Sequence, residues 1–362
     1  MPMLLSGHCV WEAKDVCLQK AAHHLSHAHI LELEEAVECL LCKGLVDTSV
    51  RPGYVQLARP LNKDDFPLPT LGPLISGCLQ QLAHGAGWSV LCGLPVKKWS
   101  RLQSVLALHG IGLHLGRAQA QNAKGHLIGH VKDVGVDPDQ QDPTTRIYMT
   151  RVAQPWHCDS SDVVGLLCLE PAQEGGMSSW ASSFSAYNHV LRTAPELAEA
   201  LHGPWYLDRK NEVPPGKLPF YCLPIVNQFQ GSTCVFLNDT YYQLAQRHPD
   251  VPRLTERQIQ ALKAFVSACS SDKLRVDHWL EPGDLQLLNN HCMVHTRTAF
   301  RDHPEDPSRK RHLLRLWVAL GEGQACPLAP AYVEVYGSTQ VGDRGGIRVR
   351  ESQEDCIPLE AE

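Results

Sequence analysis

Apolar and polar positions along the chain follow two different periods, and the switch between them marks out the elements. Residues 29–45 place apolar side chains at helical spacing with acidic residues between them and stop at Gly44, which predicts an amphipathic helix. Residues 71–84, 99–115 and 254–269 carry the same spacing. A further helical stretch, 185–201, has Pro195 near its middle, where the missing N–H and the ring clash split a helix. Short β-branched or continuous apolar runs, bounded by glycine or charge, predict strands at 87–95, 126–131, 146–152, 163–169, 179–183, 283–288 and 313–320. Residues 220–238 alternate about Gln230-Gly231 and predict a hairpin.

Strands spaced among turns, with helices concentrated in the first third, predict an α+β, mainly β fold whose sandwich or barrel core is wrapped by helices. The run 163–169 is apolar throughout, so it reads as a strand buried on both faces. Linkers are marked by Arg51-Pro52-Gly53 and Phe66-Pro67-Leu68-Pro69. Residues 341–362 are rich in glycine and charge, like a tail.

Composition narrows the partners. The chain has 362 residues, 43% hydrophobic and 20% charged, enough for a substantial core. A net charge of -6 gives no electrostatic reason to expect nucleic acid or an anionic membrane surface. No apolar run approaches a membrane span, and the first residues lack the basic and apolar regions of a secretory signal. The 14 cysteines are dispersed, several within apolar runs, as reduced thiols acting as small hydrophobes would be. The expectation is an intracellular, cytoplasmic protein that takes a small-molecule substrate.

The candidate chemistry begins just ahead of the buried run. His157 and Asp159 are two apart, so on an extended backbone both point to one side and can grip the same ion. A second His-x-Asp, His248-Pro249-Asp250, sits in a proline turn before a helix, where a turn-and-cap role accounts for it. A third ligand is offered downstream by His291 or His295, after the strand 285–288. Two histidines and a carboxylate on one face leave positions open on a non-haem Fe(II). Arg311 and Arg315 share one side of the last strand, opposite Leu314 and Leu316, and suit bidentate capture of a carboxylate; a basic strand edge facing water is the plainer reading. Cys39 and Cys42 have metal or redox spacing but lie within a helical pattern, where packing explains them. The run His23-His24-Leu25-Ser26-His27-Ala28-His29 reads as a solvated helix start that could take adventitious metal.

Taken together, His157-x-Asp159, the Gly175-Gly176-Met177-Ser178 turn, residues 290–295 and Arg311-His312-Leu313-Leu314-Arg315 resemble the taurine dioxygenase (TauD/TfdA-like) branch of Fe(II)- and 2-oxoglutarate-dependent oxygenases. The resemblance runs from about residue 66 to 320. It implies a double-stranded β-helix (jelly-roll) core with flanking helices, in a single domain with an N-terminal helical extension, 1–65, and a C-terminal tail, 321–362. It implies that His157, Asp159 and His295 bind iron, and that Ser178 and Arg311 meet the distal carboxylate of 2-oxoglutarate, with Arg315 as the alternative arginine. Arg315 otherwise matches a residue that holds the acidic group of the substrate. Gln121, Asn122 and Trp156 stand as further candidates for the substrate pocket. The implied reaction uses O2, oxidises a small organic molecule and releases succinate and CO2. Departures from the pattern are Leu288-Asn289, His291 in place of an arginine, and an insertion at 301–308. A non-catalytic jelly-roll binding protein and a zinc hydrolase built on the same three ligands are the competing readings.

Overall fold

A computed structural model describes residues 3–137, 145–306, 309–349 and 354–362. Parts of the loop-rich stretch 118–155, of the insertion 301–308 and of the tail 341–362 therefore lie outside the described residues.

The principal strands are β1 (Trp88–Cys92), β2 (Ile128–Lys132), β3 (Gln154–His157), β4 (Val163–Glu170), β5 (Ser178–Ser182), β6 (Arg275–His278), β7 (Leu285–Asn289), β8 (Met293–Arg297) and β9 (His312–Ala319). The principal helices are α1 (His27–Cys42), α2 (Leu71–His84), α3 (Arg101–Leu115), α4 (Ser183–Thr193) and α5 (Glu256–Ser270). Serine or threonine caps several of them. Ser26, Ser100 and Thr255 each accept the backbone N–H three residues on, which satisfies a donor the helix itself leaves free.

The larger sheet runs Ala22–His24, β1, β7, β4, β9, with β2 and Arg117–Ala118 both against β9. The smaller sheet runs β6, β5, β8, β3. From β2 to β9 the chain crosses between the two sheets at every step except β5 to β6, and apart from the Ala22–His24 edge all these pairings are antiparallel.

Alternation along the strands sorts side chains into three apolar layers. Leu167, Leu287, Leu314 and Leu316 pack outward against α2 and α3 residues such as Ile75 and Leu108. Val164, Leu166, Leu313 and Trp317 point inward with Trp180 from the smaller sheet. Ala181 and Val294 turn the other way, onto Val190 of α4 and Phe265 of α5. β4 feeds both the first and second layers, so it is buried on both faces, as its unbroken apolar run predicts. Burying a leucine fully contributes about 2 kcal/mol, so these layers fix which face of each strand meets the interior.

Three local expectations need correction. Residues 146–152 form a 3-10 turn, Ile147–Met149, and no strand. The carbonyls of Thr150 and Val152 accept from the Arg297 guanidinium, so a side chain takes the bonds a neighbouring strand would have supplied. In the histidine-rich segment, Ala22–His24 is an edge strand paired with β1, and the helix begins only after Ser26. The hairpin is shorter than 220–238: Val226–Phe229 pairs with Ser232–Val235, while Phe220–Cys222 pairs with Tyr206–Asp208. Its turn is the expected one, with Gln230 and Gly231 both at positive φ, the conformation that Gly accepts without strain. Pro195 does end one helix and begin the next.

The cysteines are all free thiols. No helix among the described residues is long and apolar enough to cross a membrane.

Candidate functional site

β3 and β8 are neighbours in the smaller sheet, and their pairing sets His157 directly opposite His295. The two rings face the interior with centroids 4.1 Å apart. Two residues beyond His157 the chain has left the strand, and the Asp159 carboxylate turns back toward them, with Oδ2 3.7 Å from His295 Nε2. One ligand atom from each of the three lies within 4.8 Å of the others, and all three residues are buried.

The protonation states suit a cation. Burial pulls the His295 imidazole down to about 3, assisted by His157 and opposed by Asp159. Burial also lowers His157, against the pull of Asp159. Burial works to raise the Asp159 carboxyl, but Arg315, His295 and His157 outweigh it and hold the carboxyl below its usual range. At neutral pH the cluster is therefore two neutral imidazoles and a carboxylate. His157 Nδ1 lies 2.8 Å from the Pro155 carbonyl, which fixes the proton there and leaves the lone pair on Nε2, which lies 2.9 Å from Gln154 Nε2. Asp159 Oδ2 and His295 Nδ1 are buried with no hydrogen-bond partner, at the cost such orphan atoms carry unless something is bound.

A small cavity next to the cluster is lined by His157, Asp159, Ser178, His295, Arg297, Arg311 and Arg315. Arg311 is buried; its Nη2 donates to the Gly176 carbonyl at 3.3 Å, and its Nη1 has no partner. Burial draws the guanidinium down to about 10, still cationic at neutral pH. Ser178 Oγ bonds Gln286 Oε1 at 2.8 Å on the same wall. The turn leading into Ser178 brings backbone against Arg311. Gly176 has φ +77°, and a Cβ there would sit 2.8 Å from Arg311 Nε.

Arg315 lies between the two chemistries. Its Nη1 is 3.2 Å from Asp159 Oδ1, its Nε donates to Gln121 Oε1 at 2.7 Å, and its guanidinium is 4.7 Å from the ring centres of both Tyr148 and Trp317. It also borders a second, larger cavity of about 510 Å3 that includes His157, Asp159, Gln154, Tyr148 and, from the C-terminal segment, Tyr336 and Gly345.

The other candidates divide. Gln121 borders the larger cavity but is bonded to Arg315 and to the Leu127 and Arg315 carbonyls, so it positions Arg315. Trp156 borders the same cavity with its indole N–H committed to Ser270 Oγ at 2.8 Å. Asn122 lies at neither cavity; its Oδ1 accepts from the Lys124 and His126 backbones and closes its own turn. His291 points away, with Nε2 2.7 Å from Asp162 Oδ1. His248 pairs with Asp208 at 2.7 Å. Cys39 and Cys42 stay within α1.

Two residues escaped the sequence reading. Arg297 lines the small cavity with Nε and Nη1 unpartnered, and burial pulls it down to about 9. It stands two residues after His295 on β8, so the same-face rule that joins His157 to Asp159 could have found it. Tyr148 had no such signal, because it reaches the site from the turn read as a strand.

The profile of a family described as "Taurine catabolism dioxygenase TauD, TfdA family" matches residues 54–317. Among curated proteins, the chain is 34% identical over 332 residues to an FR-33289 synthase of Streptomyces rubellomurinus, covering 89% of this chain and 92% of that protein. It is 29% identical over 303 residues to the taurine hydroxylase-like protein SAT17 of Stachybotrys chartarum, covering 81% and 73% respectively. Among solved structures, an asparagine oxygenase holding Fe(II), hydroxyasparagine and succinate superposes with a TM-score of 0.56 at 19% identity, over 82% of this chain and 93% of that one. The non-haem iron oxygenase OrfP, with iron, succinate and hydroxyarginine, gives 0.57 at 15% identity, over 82% and 94%. At those identities the structural likeness speaks for the fold.

Proposed function

Because the chain belongs to the taurine catabolism dioxygenase TauD, TfdA family, we propose that it is an Fe(II)- and 2-oxoglutarate-dependent dioxygenase that oxidises, by hydroxylation, a small organic substrate. The observation that carries the reading is the convergence of His157, Asp159 and His295, with one donor atom each within 4.8 Å, beside a buried guanidinium with a free N–H. In this reading the alternation of the chain between two sheets is the double-stranded β-helix of the family, in one domain, with 1–65 and 321–362 as its extensions.

The residues fit the implied groups. Two neutral imidazoles and one carboxylate, with an unpartnered oxygen among them, are a donor set for Fe(II) that leaves coordination positions open. When bound, iron with 2-oxoglutarate and O2 supplies the oxidising chemistry, and the cosubstrate ends as succinate and CO2. The chain supplies orientation and charge. Arg311 meets the far carboxylate of 2-oxoglutarate through Nη1, and the Ser178 hydroxyl lies on the same wall. Gln121 and the rings of Tyr148 and Trp317 hold Arg315 against Asp159, which fixes the ligating carboxylate. The substrate occupies the 510 Å3 cavity, with an acidic group toward Arg315 and the carbon to be oxidised toward the His157 and Asp159 wall that both cavities share. Trp317 and Tyr148 also line the larger cavity beside that wall.

The test is a succinate-formation screen over small acidic metabolites with Fe(II), ascorbate and 2-oxoglutarate. Substrate-dependent succinate release that Asp159→Ala abolishes is expected. A folded, iron-loaded protein that turns over no 2-oxoglutarate, with or without candidate substrates, would favour the non-catalytic binding reading.

A further inference from the structure

Outside the iron cluster, the described residues hold one more group of metal-ligating side chains, Cys234, His291 and Cys326, with one donor atom each within 4.8 Å of the others. They come from three separate parts of the fold. Cys234 lies on the hairpin strand Ser232–Val235, His291 in the turn between β7 and β8, and Cys326 in the segment after β9. Cys234 and His291 are buried and Cys326 is half-buried.

We propose that Cys234, His291 and Cys326 form a second metal site, for a thiophilic cation such as Zn(II), that clips the C-terminal segment and the hairpin to the turn ahead of His295. This stands independently of the oxygenase reading.

Two observations converge on it. First, His291 presents a free nitrogen. Its Nε2 is 2.7 Å from Asp162 Oδ1, while Nδ1 is buried with no partner. A carboxylate behind one nitrogen orients the ring and raises the basicity of the other, the arrangement metal-bound histidines commonly have. Asp162 is itself fixed by Arg344, with Nε 2.9 Å and 3.0 Å from its two oxygens.

Second, the sulfurs stand 3.4 Å apart. Two thiolates about 2.3 Å from one tetrahedral zinc are separated by about 3.8 Å, whereas a disulfide requires about 2.05 Å. The observed spacing is a few tenths of an ångström from the shared-ion value and more than an ångström from the disulfide. Two soft sulfurs and an imidazole favour Zn(II) or Cu(I) over the harder ions that suit a carboxylate-bearing site.

Three protein ligands would leave a fourth position for water.

The consequence is architectural. The Val235 N–H already donates to the His291 carbonyl, and Arg344 Nη1 holds the Cys326 carbonyl at 2.8 Å. The segment that follows Cys326 supplies Tyr336 and Gly345 to the larger cavity, so an ion here would brace one wall of the substrate cavity from behind.

Co(II) titration of the reduced, metal-free full chain tests the proposal, because a sulfur-to-cobalt charge-transfer band in the near ultraviolet reports thiolate ligation and the His157, Asp159, His295 set has no sulfur. A band that saturates within two equivalents in wild type and with one in Asp159→Ala, disappears on adding Zn(II) and is lost in Cys326→Ser is expected. Cys326 is the least buried of the three, and Cys234→Ser serves as the second variant. Absence of the band in the folded wild-type chain, or its persistence in both serine variants, would overturn the site.

Discussion

Arg315 and Asp159 are joined at 3.2 Å, so a guanidinium that lines the larger cavity also holds the carboxylate of the His157, Asp159, His295 cluster. In the proposed reading, a single residue therefore couples the substrate cavity to the geometry of the metal cluster. Lysine keeps the charge but cannot bridge Gln121 and Asp159 from one planar fork. Arg315→Lys is expected to weaken Fe(II) binding by about 10- to 100-fold as well as to raise the substrate KM. A fluorescence or calorimetric iron titration checks it. Unchanged iron affinity would reduce Arg315 to a substrate contact alone.

Arg311 is expected to act on the cosubstrate and leave iron untouched. Its Nη1 is buried and unpartnered until a carboxylate arrives. Arg311→Ala should raise KM for 2-oxoglutarate on the order of 100-fold, about 2.7 kcal/mol, with Fe(II) affinity near wild type. Comparing the two titrations in one variant separates the roles.

Gly176 gives a subtler version of the same experiment. At φ +77° an alanine is strained by about 1–2 kcal/mol, and its Cβ would push against Arg311 Nε from 2.8 Å. Gly176→Ala should lower thermal stability modestly and raise KM for 2-oxoglutarate more than it lowers kcat. An equal loss in both would mean that the turn shapes the site in some other way.

The acid limb of stability is expected to involve Asp208. Burial works to raise this carboxyl, but Arg247, the Lys210 backbone N–H and His248 hold it below its usual range. A depressed carboxyl contributes stability that is fully present above its unfolded value, about 3.9, and is lost as pH falls through the folded one. Asp208→Asn should cost on the order of 2 kcal/mol at pH 7, and the gap to wild type should shrink as pH drops below 4. Urea unfolding across that window measures it; a gap independent of pH would contradict the assignment.

Much of the site could be read from the chain because strand geometry is local. The two- and four-residue spacings did bring His157 with Asp159 and Arg311 with Arg315 to one cavity, although Asp159 lies just past the end of β3 and Arg311 just before β9, and the unbroken run after Asp159 marked β4 as central. The choice between His291 and His295 could not be read that way, since it depends on which residue of β8 pairs with β3. Residues 146–152 misled for a related reason. Their β-like composition is real, but the carbonyls of Thr150 and Val152 are taken by Arg297, a partner far away in sequence. The Cys234, His291, Cys326 cluster was invisible because none of its spacings is short, whereas the Cys39 and Cys42 pair, spaced like a motif, is filling within a helix.

In the proposed reading one ferrous ion is held by three residues that meet only in the folded chain. Anaerobic titration of the protein with Fe(II) and 2-oxoglutarate, followed by visible absorption, measures this. Wild type is predicted to develop the weak metal-to-cosubstrate charge-transfer band at one equivalent, and Asp159→Ala to develop none. A folded wild-type chain without the band, or a variant that keeps it, would mean that His157, Asp159 and His295 do not hold the iron.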